Sequence, residues 1–132
     1  NVSAPAQAAG LAALQDLEFT ENARLNNHFW LQETIRRLER IGLGIPPSVA
    51  NFVLVRFPDE VNADATSARL FLLENGIVVR SMLPYKLKSH LRITIGREHE
   101  MNQLFHKLEE FMGCRSISAT DGGDNVVKES CR

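Results

Sequence analysis

Leu91-Arg92-Ile93-Thr94-Ile95-Gly96 decides how the rest of this chain of 132 residues is read. The run alternates. Leu91, Ile93 and Ile95 fall on one face of a β-strand, and Arg92 and Thr94 on the other. Isoleucine and threonine favour strands, and Gly96 marks the stop. An arginine amid strong strand formers admits two readings. On a solvated sheet face it is ordinary. On a face covered by another domain its guanidinium must be paired, because an unpaired buried charge is costly. The planar fork then suits a carboxylate held by two parallel hydrogen bonds. Periodicity alone favours the solvated face.

Working outward, two further strands are expected, at 51–57 (Asn51-Phe52-Val53-Leu54-Val55 and onward) and at 76–80 (Gly76-Ile77-Val78-Val79-Arg80). The first is mostly apolar and reads as covered on both faces. Between them, Asn62 or Asp64 caps a helix over 65–74 with Ala68, Phe71 and Leu72 toward the sheet, and Asn75-Gly76 ends it. Residues 81–89 form a loop with Pro84 and two lysines, and 91–95 is the last strand. A helix over 98–112 follows, with Met101, Leu104, Phe105, Leu108, Phe111 and Met112 on one side and Gly113 at its end.

Two helices precede the strands. Ser3 caps one over 4–17, rich in Ala, Leu and Gln, with Pro5 harmless in its first turn. Thr20 caps a second over 20–40, with an apolar stripe of Ala23, Phe29, Trp30, Leu31, Ile35 and Leu38. Glu33 is placed to pair with Arg36 or Arg37. Gly42 and Gly44 stop this helix, and Pro46-Pro47 prevent its resumption. The expected order is α-α-β-α-β-β-α, an α/β (α+β) fold with helices covering a small mixed three-stranded sheet. The strands at 51–57 and 76–80 should run parallel through a right-handed crossover. Those at 76–80 and 91–95 should form an antiparallel hairpin. From Gly113 the composition turns to Ser, Asp, Gly and Asn, so the reading is one domain over 1–112 and a polar, mobile tail over 113–132.

Length and composition bound the function. One domain with a substantial core is expected. A net charge of −1 gives no electrostatic case for nucleic acid or an anionic membrane as partner. No apolar run approaches the ~20 residues of a membrane helix, and Asn1 to Gly10 carries no basic signal-peptide start. The absence of an initiator methionine suggests a fragment. Cys114 and Cys131 match no metal spacing and read as free thiols of a cytoplasmic protein.

Few residues carry chemistry. His28, His90, His99 and His106 read as surface residues; Arg97-Glu98-His99-Glu100 lacks the second histidine of a zinc helix. Ser116, Ser118 and Ser130 have no partnered base. Gly42-Leu43-Gly44 follows a helix, so its glycines cap rather than cradle phosphate. Arg80 and Arg92 remain, on neighbouring strands. Two guanidinium groups there repel without an anion. They are either solvated, paired with Glu98 or Glu100, or the site of a doubly anionic ligand.

Asn-Phe-Val-Leu, then Gly-Ile-Val-Val-Arg, then Leu-Arg-Ile-Thr-Ile-Gly and a helix with an acidic first turn resembles the small C-terminal domain of the histidinol-phosphate aminotransferases. These are pyridoxal-phosphate enzymes of the aspartate aminotransferase fold. The likeness covers about 1–112. The Leu-Arg-Ile-Thr-Ile-Gly block is shared widely in that fold; the two other strands narrow it to the histidinol-phosphate branch. The resemblance implies amino transfer between glutamate and imidazole-acetol phosphate in histidine biosynthesis. It implies a cytoplasmic homodimer. It gives Arg92 the substrate α-carboxylate and Arg80 the substrate phosphate. It puts the cofactor lysine, the aspartate on the pyridine nitrogen and the phosphate cup in a large domain upstream, with which this one packs. Lys86, Lys88, Lys107 and Lys128 match none of these, so no bound cofactor and no catalytic residue are expected in this stretch alone, and no metal. A threonine-phosphate decarboxylase of cobalamin synthesis is the neighbouring alternative. A stand-alone α/β binding or regulatory module is the other. An exposed apolar patch on 4–17 or Phe29-Trp30-Leu31 would speak for the detached domain.

Overall fold

The computed structural model describes residues 2–120, with side chains described through Gly113. Helix α1 spans Ala4–Gln15 and helix α2 Leu17–Arg40. The boundary between them falls at Asp16, four residues before the expected Thr20. The Asp16 carboxylate accepts the Phe19 N–H at 2.9 Å and so caps α2. Thr20 lies inside the helix and donates its hydroxyl to the Asp16 carbonyl at 3.0 Å. No residue of α1 is buried, and α2 buries only its C-terminal half, at Trp30, Leu31, Thr34 and Leu38. The expected stripe therefore holds from Trp30 onward, while Ala23 and Phe29 face outward.

Strand β1 is Phe52–Arg56, helix α3 Ala65–Glu74, strand β2 Arg80–Ser81, strand β3 His90–Thr94 and helix α4 Glu98–Thr120. A 3-10 turn, Leu83–Tyr85, lies between β2 and β3. The strand order is β1-β3-β2, and β3 pairs antiparallel with both neighbours. β1 and β2 thus run parallel to each other, as expected, but β3 lies between them. No parallel pair is hydrogen-bonded, and the sheet is antiparallel throughout rather than mixed.

The strand expected at 76–80 shortens to Arg80–Ser81 because its first residues serve α3 instead. The N–H groups of Gly76 and Ile77 bond the carbonyls of Leu73 and Leu72 at 3.0 and 2.8 Å. This closes the helix with Gly76 at φ +76°, a left-handed conformation that glycine takes without strain. At the other end of α3, the Asp64 carboxylate accepts the N–H groups of Thr66 and Ser67.

One face of the sheet carries the core. Val53, Val55, Leu91 and Ile93 are buried there with Ala68 and Leu72 of α3 and Met101, Leu104, Phe105 and Leu108 of α4. Phe111 meets Phe57 and Phe71, and Trp30 of α2 meets Phe105. The opposite face of β1 is not fully covered by the described residues: Phe52 and Leu54 are half-buried and Arg56 is exposed. The reading of β1 as covered on both faces is corrected to one. Gly113 does not end α4, which runs on to Thr120. A glycine within a helix costs only about 1 kcal/mol against alanine and stops nothing without a turn behind it. Residues 121–132, including Cys131 and Ser130, and the side chains of Cys114, Ser116 and Ser118 lie outside the described residues, so the tail and free-thiol readings fall there too.

Candidate anion-binding face

Residues paired directly across an antiparallel ladder project from the same face. Arg80 stands opposite Arg92, Leu54 stands on the other side of Arg92, and Arg56 faces His90. Alternation adds Phe52 and Thr94. The face left open by the helices therefore gathers Arg56, Arg80, Arg92 and His90, with Phe52, Leu54 and Thr94 between them. The sequence placed Arg80 and Arg92 on neighbouring strands; the register makes them direct partners. Like charges directly opposed destabilise a sheet.

Arg92 is half-buried. Its guanidinium carbon lies over the Phe52 ring, 5.1 Å from the centroid, within cation–π range. Its Nε is buried without a hydrogen-bond partner among the described residues. Arg80 is exposed. Its Nη2 donates to the Tyr85 hydroxyl at 3.1 Å, and its guanidinium carbon lies 5.7 Å from that ring's centre. The Nδ1 of His90 is likewise buried and unpartnered among the described residues.

No carboxylate pairs with Arg56, Arg80 or Arg92 among the described residues. Glu100, one expected partner, instead accepts the Arg97 N–H at 2.7 Å and caps its own helix. The sheet face is thus a cationic surface with unused donors, and what it can do chemically is hold anions. A cavity of about 520 Å³ is lined by residues 76–79, Ile93, Thr94 and the first turns of α4, and neither arginine lines it.

Other expected sites settle differently. His28, His99 and His106 are exposed, as expected, and His90 is half-buried rather than on the surface. No group of three metal-ligating side chains occurs among the described residues. No helix among them is long and apolar enough to cross a membrane. Lys86 and Lys88 are exposed, and Lys107 pairs with Glu110 at 2.7 Å. Lys128 lies outside the described residues. Phe52 and Tyr85 were not singled out from sequence, and His90 was read there only as a surface residue. Only the register could bring Phe52 to Arg92, forty positions on, whereas Tyr85 five residues after Arg80 was a local signal in plain view. Of the apolar residues looked for at the N-terminus, Leu11, Leu14, Leu17 and Phe29 are each at least 60% exposed, as is Phe19, while Trp30 and Leu31 are buried.

Residues 1–108 match the family of class I and II aminotransferases. The chain is 46% identical over 113 residues to a histidinol-phosphate aminotransferase of Paramagnetospirillum magneticum, covering 86% of this chain and 31% of that protein. Among solved structures, the histidinol-phosphate aminotransferase of Sinorhizobium meliloti in complex with pyridoxal-5'-phosphate superposes with a TM-score of 0.69 at 29% identity. That match covers 83% of this chain and 29% of that one. An L-threonine-O-3-phosphate decarboxylase of Porphyromonas gingivalis gives a TM-score of 0.53 at 22% identity over 65% of this chain and 28% of that one, a likeness of fold alone.

Proposed function

Since the chain belongs to the class I and II aminotransferases, we propose that it is the small domain of a histidinol-phosphate aminotransferase. The whole protein would pass an amino group between glutamate and imidazole-acetol phosphate. The chain spans about 31% of the length of the relative described above, so the activity, the substrates and a homodimeric, cytoplasmic state are proposed for the whole protein. The domain over 1–112 would close over the substrate, with Arg92 on the α-carboxylate of glutamate and Arg80 on the phosphate of imidazole-acetol phosphate. The observation that carries this reading is the opposed pair Arg80–Arg92 on an uncovered sheet face, with no carboxylate among the described residues to neutralise either.

Pyridoxal phosphate, when bound, acts as the electron sink for amino transfer. The described lysines do not fit its attachment: two are exposed on a loop and the third is ion-paired on a helix surface. The cofactor site is therefore assigned to the remainder of the protein. The exposed N-terminal helix supports a domain that packs on a larger one over a stand-alone module, which would bury its own apolar surface.

The test is the purified full-length protein supplied with cofactor and glutamate. Formation of histidinol phosphate from imidazole-acetol phosphate is expected. Carbon dioxide release from threonine phosphate, without amino transfer, would overturn the assignment in favour of the decarboxylase.

A further inference from the structure

Phe52 opens β1 opposite Thr94 and lies diagonally across from Arg92. Diagonal neighbours on one face of a sheet are within reach of aromatic and long side chains. The guanidinium carbon of Arg92 stands 5.1 Å from the Phe52 ring centre, and both residues are half-buried. An arginine fixed by a salt bridge has its N–H edge occupied. Arg92 has no such partner among the described residues, and its Nε is buried and unpaired. The ring engages the guanidinium while leaving hydrogen-bond donors unused.

We propose that Phe52 is a positioning residue, holding the Arg92 guanidinium by a cation–π contact so that its N–H edge is ready for the substrate carboxylate. This rests on the assignment of Arg92 to that carboxylate. An arginine side chain is rich in rotamers, and ordering one on binding opposes affinity. A ring that orders it beforehand removes part of that cost. The contact is made equally with substrate and transition state, so its loss should appear chiefly in KM.

The experiment measures steady-state amino transfer by the full-length protein as Phe52→Leu, Phe52→Tyr, Arg92→Gln and the Phe52→Leu/Arg92→Gln pair. Phe52→Leu should lower kcat/KM for glutamate by about 3- to 30-fold, mostly through KM. Phe52→Tyr keeps a ring and should restore it to within about 2-fold. With Arg92 already replaced, Phe52→Leu should cost little more, the non-additivity expected of two residues acting as one. A Phe52→Leu variant with wild-type KM beside a crippled Arg92→Gln would overturn the proposal and leave the role of Arg92 standing. A full, additive loss in the pair would overturn it too. An unimpaired Arg92→Gln would sink the carboxylate assignment itself and the proposal with it. If Phe52→Leu does not fold, Phe52→Met takes its place, filling similar volume without a ring.

Discussion

Replacing Arg92 by lysine tests the proposed site most directly. Lysine keeps the charge and loses the fork. Arg92 has a buried Nε with no partner among the described residues and a guanidinium lying over Phe52. A carboxylate taken by the guanidinium fork receives two parallel charged hydrogen bonds. Lysine offers a single point donor in place of that fork. Losing one such bond costs about 1.5–3 kcal/mol. Weakening the contact with the ring adds roughly 0.5–2 kcal/mol. Since ~1.4 kcal/mol is tenfold, kcat/KM should fall on the order of 10²-fold or more. Glutamate presents that α-carboxylate and imidazole-acetol phosphate presents none, so the glutamate half-reaction should suffer more. The assay is single-turnover kinetics of each half-reaction on the full-length variant, with its melting temperature as a control. Near-wild-type rates in a folded Arg92→Lys protein would show that this arginine only decorates a solvated sheet face.

Arg80→Lys should slow the half-reaction of the phosphorylated substrate more than that of glutamate; equal effects in the same assay would remove Arg80 from the phosphate. Leu108 of α4 is fully buried in the core, so Leu108→Ala should lower unfolding stability by about 2–5 kcal/mol, read from urea titration. Gly76→Ala meets no atom within 4 Å but places a side chain at φ +76°, so it should cost about 1–2 kcal/mol in the same titration. Hydrogen bonds from Arg36 and then Arg37 hold the Glu33 carboxyl down to about 2. A depressed carboxyl contributes stability above its unfolded value and loses it as pH falls through about 2. The melting-temperature gap between wild type and Glu33→Gln should therefore persist near pH 4 and close toward pH 2.

The elements that read most clearly from sequence were those whose side chains alternate or repeat against one core face. β3 was read as alternating, and its inward Leu91 and Ile93 are buried as expected; Val53 and Val55 of β1 are buried too, although β1 was read as covered on both faces. Helix α4 repeats Met101, Leu104, Phe105 and Leu108 at helical spacing, and these too are buried. What was not legible depended on competition between distant or equivalent signals. Thr20 read as the start of α2, but the carboxylate of Asp16, four residues earlier, takes the cap. Gly76 and Ile77 suited both a strand and a helix end, and the helix took their N–H groups. Arg80 and Arg92 could be named from sequence, but their direct opposition required knowing that β3 inserts between β1 and β2. The Phe52 contact follows from that same insertion.

Helix α1 carries a different consequence. It is twelve residues long and buries none of them. Isolated helices of that length are marginal in water even when rich in alanine. With nothing from its own domain to hold it, the backbone amides of α1 should exchange with deuterium almost as fast as those of a free peptide, while the β1 and β3 amides exchange only on global opening. Slow exchange in α1 would have to be conferred by a surface resting on Leu11 and Leu14. Its amide protection is therefore a gauge of domain docking, set apart from the fold that carries the arginines.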